Sequence, residues 1–147
     1  MYGDPDELER LAVGIREQAQ GVREQAQARL QRSEQATWAS SAAEEWRQRV
    51  REETTHANTS ADTLDEAAQA LIAHAAEVRE RLAAIAAAEK AVTGWFKDRW
   101  NDLERVASTA TGDAVRGIET AAQELRDGWA SLPPPGDARW LELKIGG

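Results

Sequence analysis

The stretch Thr37-Trp38-Ala39-Ser40-Ser41-Ala42-Ala43-Glu44-Glu45-Trp46 separates two long helical patterns and decides the fold. Two of the six tryptophans lie in it, on either side of a pair of serines. The spacing Ser41-x-x-Glu44 matches a capping box, in which both side chains bond free backbone N–H groups at a helix start. We therefore expect a helix to begin at Ser40 or Ser41, with Trp38-Ala39-Ser40 as the turn of a helical hairpin.

The first helix is predicted upstream of this turn. Asp4-Pro5-Asp6-Glu7 is a strong start signal, because Asp can cap, Pro suits the first helical position and acids favour the positive end of the helix dipole. Apolar residues then form one stripe, at Leu8, Leu11, Ile15, Ala19, Val22, Ala26 and Leu30. Their mean spacing of about 3.67 residues favours straight or slightly right-handed packing.

The second helix is predicted to be longer than the first. Its apolar stripe consists of Ala43, Trp46, Val50, Ala57, Ala61, Leu64, Ala68, Leu71, Ala75, Val78, Leu82, Ile85 and Val92. Thr54–Ser60 is poor helix material, but the stripe keeps its phase there, so we expect helix with a risk of a kink. Gly94 is read as the next interruption.

The C-terminal part begins with the window richest in aromatic residues, Trp95–Trp100. A third helical pattern runs from Trp100 to Trp129, and Thr111-Gly112-Asp113 is a point where it could divide in two. Pro133-Pro134-Pro135-Gly136 ends it. The alternation in Trp140–Ile145 indicates either a short strand or a flexible end.

These patterns predict an all-α protein. Residues 4–92 would form an antiparallel hairpin of two long helices, residues 95–132 a C-terminal helical extension, and residues 133–147 a Pro-rich turn and tail. Leu, Ile, Val and Phe make only 24 of the 147 residues, so the interface is expected to be thin and lined by alanine. A thin core favours stabilisation by a partner.

Composition and motifs argue against several classes of function. The chain has no Cys, and its net charge of −8 disfavours nonspecific nucleic-acid binding. His56 and His74 stand eighteen residues apart without a metal-binding pattern, and no catalytic or nucleotide-binding motif is present. The Ala-rich stripes and acidic polar faces disfavour a membrane surface. We expect no catalytic, metal or cofactor site.

The aromatic residues are the remaining signal for function. Trp38 lies in the turn and Trp46 follows in the first turns of the second helix. The Trp38 side chain would either plug the open end of the hairpin or present a recognition surface. Aromatic residues after Gly94 would either hold a third helix or anchor a partner. The residues predicted to form helix–helix interfaces are Leu64, Leu71, Val78, Leu82, Ile85, Trp95 and Phe96.

The layout resembles that of the WXG100 proteins of bacterial type VII (ESX) secretion, from Asp6 to about Lys90. Trp38-Ala39-Ser40 stands where this family has Trp-x-Gly, with Ser in place of Gly. Leu64–Val78 is similar to the second helix of the superfamily, especially of its EspC-like actinobacterial branch. The extension from Trp95 onward is not part of the small single-domain pattern.

The resemblance implies a hairpin that pairs with itself or with a similar small helical protein, giving a four-helix bundle. It implies Sec-independent export to the medium or cell surface after cytoplasmic synthesis, with a secretion-system ATPase as a further contact. Family members often carry Tyr-x-x-x-Asp/Glu after the second helix, and here Trp100 and Glu104 have that spacing, with Trp for Tyr. The alternative is a cytoplasmic coiled-coil scaffold or adaptor that is never secreted.

Overall fold

The computed structural model describes residues 3–145, so Gly146 and Gly147 at the end of the predicted tail lie outside the described residues. Within this range every regular element is helical, which confirms the all-α class with two long helices and a C-terminal one. The α-helices are α1 (Pro5–Gln35), α2 (Ser41–Ala107) and α3 (Asp113–Ala130), followed by a 3₁₀ helix (Ala138–Glu142).

The chain divides into two compact units, one ending at Arg79 and one starting at Glu80. Helix α2 continues through this boundary. The predicted domain limits at residues 92 and 95 both fall within α2. We call the part up to Arg79 the hairpin unit and the part from Glu80 the C-terminal unit.

Local sequence signals mark the starts of both long helices. At the start of α1, the Asp4 side chain accepts a hydrogen bond of 2.9 Å from the Asp6 N–H, and Pro5 occupies the first helical position. Helix α2 begins at Ser41, as predicted, but its cap is Ser40 rather than Ser41. The Ser40 hydroxyl accepts from the Ala43 N–H at 3.1 Å, which places the cap one residue before the predicted box.

In the hairpin unit, α1 packs antiparallel to α2. Arg79 near the end of the unit pairs with Asp6, and Arg29 near the end of α1 pairs with Glu53. The fully buried seam between the helices is made mainly of alanine. Its buried residues are Ala12, Ala19 and Ser33 in α1, and Ala43, Val50, Ala61, Ala68, Ala75 and Val78 in α2.

The predicted stripe of α1 is wrong at one position. Leu11 is 55% exposed, whereas Ala12 is completely buried. Helices that pack through alanine approach closely, so a methyl group fits the centre of the seam and Leu8 and Ile15 lie half-buried beside it. The seam therefore repeats every 3.5 residues on average, the coiled-coil period, rather than the predicted 3.67.

Helix α2 is continuous through Thr54–Ser60, where a kink was considered. The hydroxyls of Thr54, Thr55, Thr59 and Thr63 donate to the carbonyl four residues earlier, at 2.7–3.1 Å. These bonds give the hydroxyls partners within the helix. The segment keeps its helical phase between Val50 and Ala61, which are both buried in the seam.

In the C-terminal unit, Gly94 does not end α2, which runs on to Ala107. A glycine costs a helix about 1 kcal/mol relative to alanine, too little to break one that packs against α3 through the nearby Phe96. The predicted break at Thr111-Gly112-Asp113 is observed, with Gly112 at φ +64° and α3 beginning at Asp113. The residues from Trp100 to Ala107 thus belong to α2.

The strand predicted as one alternative for Trp140–Ile145 is not formed, and Trp140 does not belong to a flexible end. Trp140 lies in the 3₁₀ helix and is only 3% exposed, and its indole N–H donates to the Pro134 carbonyl at 2.8 Å. Asp137 caps this helix by accepting from the Arg139 N–H at 2.8 Å. The Gly136 N–H donates to the Glu89 carboxylate at 3.3 Å, which ties the segment to α2.

Candidate functional site

Titratable side chains whose pKa departs from its ordinary value lie in exposed ion pairs. A hydrogen bond from Arg79 lowers the pKa of the Glu9 carboxyl, and the attraction of the two charges adds to this. Bonds to Asp62 and Asp65 raise the pKa of Arg23. Among residues 3–145, no three His, Asp or Glu side chains form a group that could hold a metal ion. No helix in this range is long and apolar enough to span a bilayer.

The first candidate surface is the turn between α1 and α2. Trp38 is 67% exposed, so of the two alternatives for this side chain the plug of the hairpin end is not observed. Its ring meets the half-buried Trp46 ring edge-to-face, with centroids 6.2 Å apart. Such a contact orients an aromatic ring while leaving most of its surface open. Ala39 beside it is also exposed.

The backbone of this turn is held by Arg47. Its Nε donates to the Ser33 carbonyl at 3.1 Å, and its Nη2 donates to the carbonyls of Ala36 at 2.8 Å and Trp38 at 2.5 Å. The side chain is only 14% exposed. It thereby satisfies carbonyls at the C-terminus of α1, which have no partner within the helix.

Sequence reasoning missed this role of Arg47. Nearby glutamates in the sequence predict local ion pairs for this arginine, and one to Glu44 does exist, at 3.4 Å. The signal in the sequence is the helical spacing of Arg47, which lies four residues after Ala43 and three before Val50. Both of these residues are buried, so Arg47 lies on the same face of α2 as the seam. An arginine on the seam face at the end of a hairpin faces the carbonyls of the preceding helix.

Ion pairs join the two helices along the flanks of the seam. Arg23 bonds Asp62 at 2.6 Å and Asp65 at 2.7 Å. Arg79 pairs with Asp6 at 2.6 Å and also with Glu9. These long-range pairs were not predicted, because the sequence alone does not place residues of different helices side by side.

The predicted interface residues have different surroundings. In the hairpin unit, Leu64 and Leu71 are half-buried and Val78 is buried. In the C-terminal unit, Ile85 is 1% exposed and Leu82 is 38% exposed. Val78 and Ile85 are therefore covered within the chain, and only Leu82 of the aliphatic set offers substantial free surface.

The second candidate surface is an aromatic cluster in the C-terminal unit. The Phe96 ring contacts Trp95 and Trp129 edge-to-face, with centroids 5.0 and 5.8 Å apart. Aromatic residues of the window Trp95–Trp100 are predicted either to hold a third helix or to anchor a partner; Phe96 contacts α3 through Trp129, and Trp95 packs against Phe96 within α2. Trp129 remains 54% exposed.

Trp100 and Glu104, the pair with the spacing of an export motif, are hydrogen-bonded to each other. The indole Nε1 of Trp100 donates to the Glu104 carboxylate at 2.8 Å. The Arg126 guanidinium lies 5.5 Å from the centre of the Trp100 ring, a cation–π distance. The pair thus occupies one face of α2 and contacts α3.

Two grooves lie on the surface of α2 and α3, on either side of Phe96. The first, about 710 Å³, is lined by Lys90, Thr93, Gly94, Phe96, Lys97, Trp100, Asn101, Leu125, Arg126 and Trp129. The second, about 580 Å³, is lined by Trp95, Phe96, Arg99, Asp102, Leu103, Val106, Ala121, Glu124, Leu125 and Gly128. Neither groove was predicted, because both depend on how α3 folds back on α2.

Comparisons with family models, with curated proteins and with solved structures find no match to this chain. The resemblance to WXG100 proteins therefore rests on the residues that carry it, above all the turn Trp38-Ala39-Ser40 between two long helices. In this turn Ser40, which stands in the place of the family's glycine, is the residue that caps α2.

Proposed function

We propose that this chain is a non-enzymatic, WXG100-like protein of type VII secretion that acts by helix–helix association. It would be an exported substrate, or the partner of one, and would pair with itself or with a similar small helical protein. The observation that carries the proposal is the exposed Trp38 on a turn whose backbone is held by Arg47. An aromatic side chain on a rigid support suits recognition, because little further conformational entropy of the turn is lost when a partner binds.

A second feature supports pairing through α1. The seam leaves Leu11 and Val13 each 55% exposed, and Leu11 adjoins the half-buried Leu8 and Ile15 at helical spacing. Leu8, Leu11 and Ile15 form an apolar strip on one side of the seam, and Val13 lies on its other side. In a four-helix bundle such a strip would be covered by a helix of the partner.

Size-exclusion chromatography with light scattering tests the pairing. The full chain is measured alone and mixed with the small helical protein encoded beside its gene. We expect a dimer in one of the two samples, and expect Leu11→Glu or Trp38→Ala to shift it toward monomer. Val106→Glu, at a residue 54% exposed in the C-terminal unit, is the matched control. A strictly monomeric species in both samples would refute the pairing.

A secretion assay tests the route. The chain should reach the culture medium in a host with an intact type VII ATPase and stay in cells that lack it. Trp100→Ala with Glu104→Ala should also stay in the cell. Trp129→Ala, which disturbs the aromatic cluster but keeps the motif, separates loss of a signal from loss of structure. Export that is unchanged in cells lacking the ATPase would exclude type VII secretion, and no export in either host would favour the cytoplasmic scaffold.

A further inference from the structure

We propose that the first groove of the C-terminal unit, lined by Lys90, Phe96, Lys97, Arg126 and Trp129 among others, binds an acidic amphipathic helix of another protein. The proposal is independent of the pairing of the hairpin unit, because it rests on different residues. It assigns a partner chemistry to a part of the chain that the family resemblance does not cover.

The shape of this groove fits a helix. Its α2 wall consists of Lys90, Thr93, Gly94, Lys97 and Asn101, which recur at three- and four-residue spacing and so lie on one face. From the first to the last of these is about 16 Å along the helix axis, or three turns. The α3 wall repeats one turn apart, at Leu125 and Trp129. A cleft between two helices with this length accepts a third helix of about three turns.

The floor of the groove is apolar and open. Phe96 and Trp100 are half-buried, and Trp129 stays 54% exposed although it contacts Phe96. Gly94 contributes no side chain to the wall, and a Cβ atom added there would meet nothing within 4 Å. Large aromatic surfaces left open beside a gap are suited to receive the apolar side chains of a partner.

The charge of the groove selects the partner. Its lining contains Lys90, Lys97 and Arg126 and no carboxylate, although the chain carries 26 acidic residues against 18 basic ones. Two of the three lysines of the whole sequence lie here. Within residues 3–145, no ion pair is formed by Lys90 or Lys97. These two ammonium groups, two helical turns apart, are available to the carboxylates of a partner.

Asp98, which follows Lys97 in α2, does not line the groove, and two other nearby carboxylates of α2 are engaged in hydrogen bonds. Glu89 accepts from the Gly136 N–H, and Glu104 accepts from the Trp100 indole. The second groove provides an internal contrast, because Asp102 and Glu124 offset Arg99 there. Arg99 also lies over the Trp95 ring, at 5.5 Å. Only the first groove has a charge of one sign, so the charge argument favours it alone.

Selection from a display library of 15-residue helical peptides against the immobilised full chain tests the proposal. We expect enriched peptides to have apolar residues at three- and four-residue spacing, flanked by Asp or Glu. Synthetic versions should bind the wild-type chain, and Lys90→Glu with Lys97→Glu should weaken that binding at least about tenfold. Arg49→Glu with Arg116→Glu, the same charge change at exposed positions elsewhere, should leave it within about twofold.

A charge swap sharpens the test. Replacing the acidic flanks of a selected peptide by Lys should restore binding to the Lys90→Glu, Lys97→Glu chain. Circular dichroism of each variant checks that its helix content is unchanged, so lost binding is not lost folding. The proposal is overturned if no peptide is enriched, if enriched peptides lack acidic flanks, or if they bind the double variant as well as the wild type.

Two other occupants have distinct outcomes. If a second copy fills the groove, light scattering will show a dimer that the Lys90→Glu, Lys97→Glu variant loses. If an anionic lipid surface fills it, the wild type will float with phosphatidylglycerol vesicles and the variant will not. Either result without acidic-peptide binding refutes the proposed partner. The pairing of the hairpin unit is tested with Leu11 and Trp38, so the two proposals fail separately.

Discussion

The Trp38 carbonyl oxygen accepts a hydrogen bond of 2.5 Å from Nη2 of Arg47, nine residues later in the chain. The arginine therefore holds the backbone of the turn and leaves the indole of Trp38 in solvent. The geometry of the turn is consequently set by a residue that is itself nearly buried, while the exposed aromatic ring is available for other contacts.

The first prediction concerns this arginine. Arg47→Ala should lower the free energy of unfolding by about 1–3 kcal/mol, because it leaves the carbonyls of Ser33, Ala36 and Trp38 without their charged donor. Urea unfolding followed by circular dichroism measures the change. Arg49→Ala, at an exposed neighbour, should stay within about 0.5 kcal/mol of wild type. Equal effects of the two substitutions would contradict the proposed role of Arg47 in holding the backbone of the turn.

The second prediction compares two glycines of α3. Gly117→Ala should stabilise the C-terminal unit by about 1 kcal/mol, because alanine favours helix and its Cβ meets nothing within 4 Å. At Gly128 the same Cβ would lie 3.0 Å from Cζ of Phe96, whose ring is held by Trp95 and Trp129. We expect Gly128→Ala to be less stable than Gly117→Ala by about 1–3 kcal/mol in thermal unfolding.

If both alanine variants gain equal stability, Phe96 moves aside easily and the aromatic cluster is not tightly packed. Near-ultraviolet circular dichroism of the aromatic side chains would then report the shift of this ring.

The third prediction is a pH dependence at the end of the hairpin unit. The hydrogen bond from Arg79, and then the attraction of its charge, hold the Glu9 pKa below its ordinary value of 4.5. A carboxyl whose pKa is lowered by folding stabilises the folded state above its unfolded pKa, and this contribution is lost as the pH falls through the folded pKa. Glu9→Gln should therefore be less stable than wild type near neutral pH.

The difference between the Glu9→Gln variant and wild type should shrink as the pH falls from about 4.5 through the lowered folded pKa, below which Glu9 is protonated and uncharged like the glutamine. Urea midpoints across this range measure it. Glu17→Gln, at an exposed residue of the same helix, is the control. A difference that stays constant at all pH values would show that the Glu9–Arg79 pair does not contribute through its charge.

The fourth prediction concerns the C-terminal segment. Trp140→Ala should cost about 3–5 kcal/mol and release the segment, because the side chain is 3% exposed and bonded to the Pro134 carbonyl. Leu141→Ala, next to it but 44% exposed, should change stability by less than about 1 kcal/mol. Hydrogen exchange of residues 136–142 would show the release directly. Unchanged protection in Trp140→Ala would refute it.

Sequence patterns predicted α2 well because its signal is long. From Val50 to Val78 the predicted stripe coincides with buried or half-buried positions, and the paired serines located the start of the helix. In α1, by contrast, hydrophobicity ranks Leu11 above Ala12, but the close approach of two helices rewards the smaller side chain. The pattern alone does not report the distance between helices.

The other differences arise from tertiary contacts. Gly94 is a local interruption, but packing of Phe96 against Trp129 of α3 outweighs its small cost to the helix. Trp140 is buried because the Pro-rich segment folds back beneath it, which no local alternation predicts. The roles of Arg47 and of both grooves likewise depend on residues distant in sequence.

The alanine seam has a consequence for the alignment of the two helices of the hairpin unit. Ala61, Ala68 and Ala75 are equally small and evenly spaced, so a shift of one helix by a heptad would meet nearly the same surface. The seam alone therefore specifies register poorly. Polar contacts fix the register instead. Arg23 of α1 pairs with Asp62 of α2, Arg79 of α2 pairs with Asp6 of α1, and Arg47 bonds the backbone of the turn. In this hairpin, contact between helices comes from alanine, and the choice of which residues meet comes from arginine.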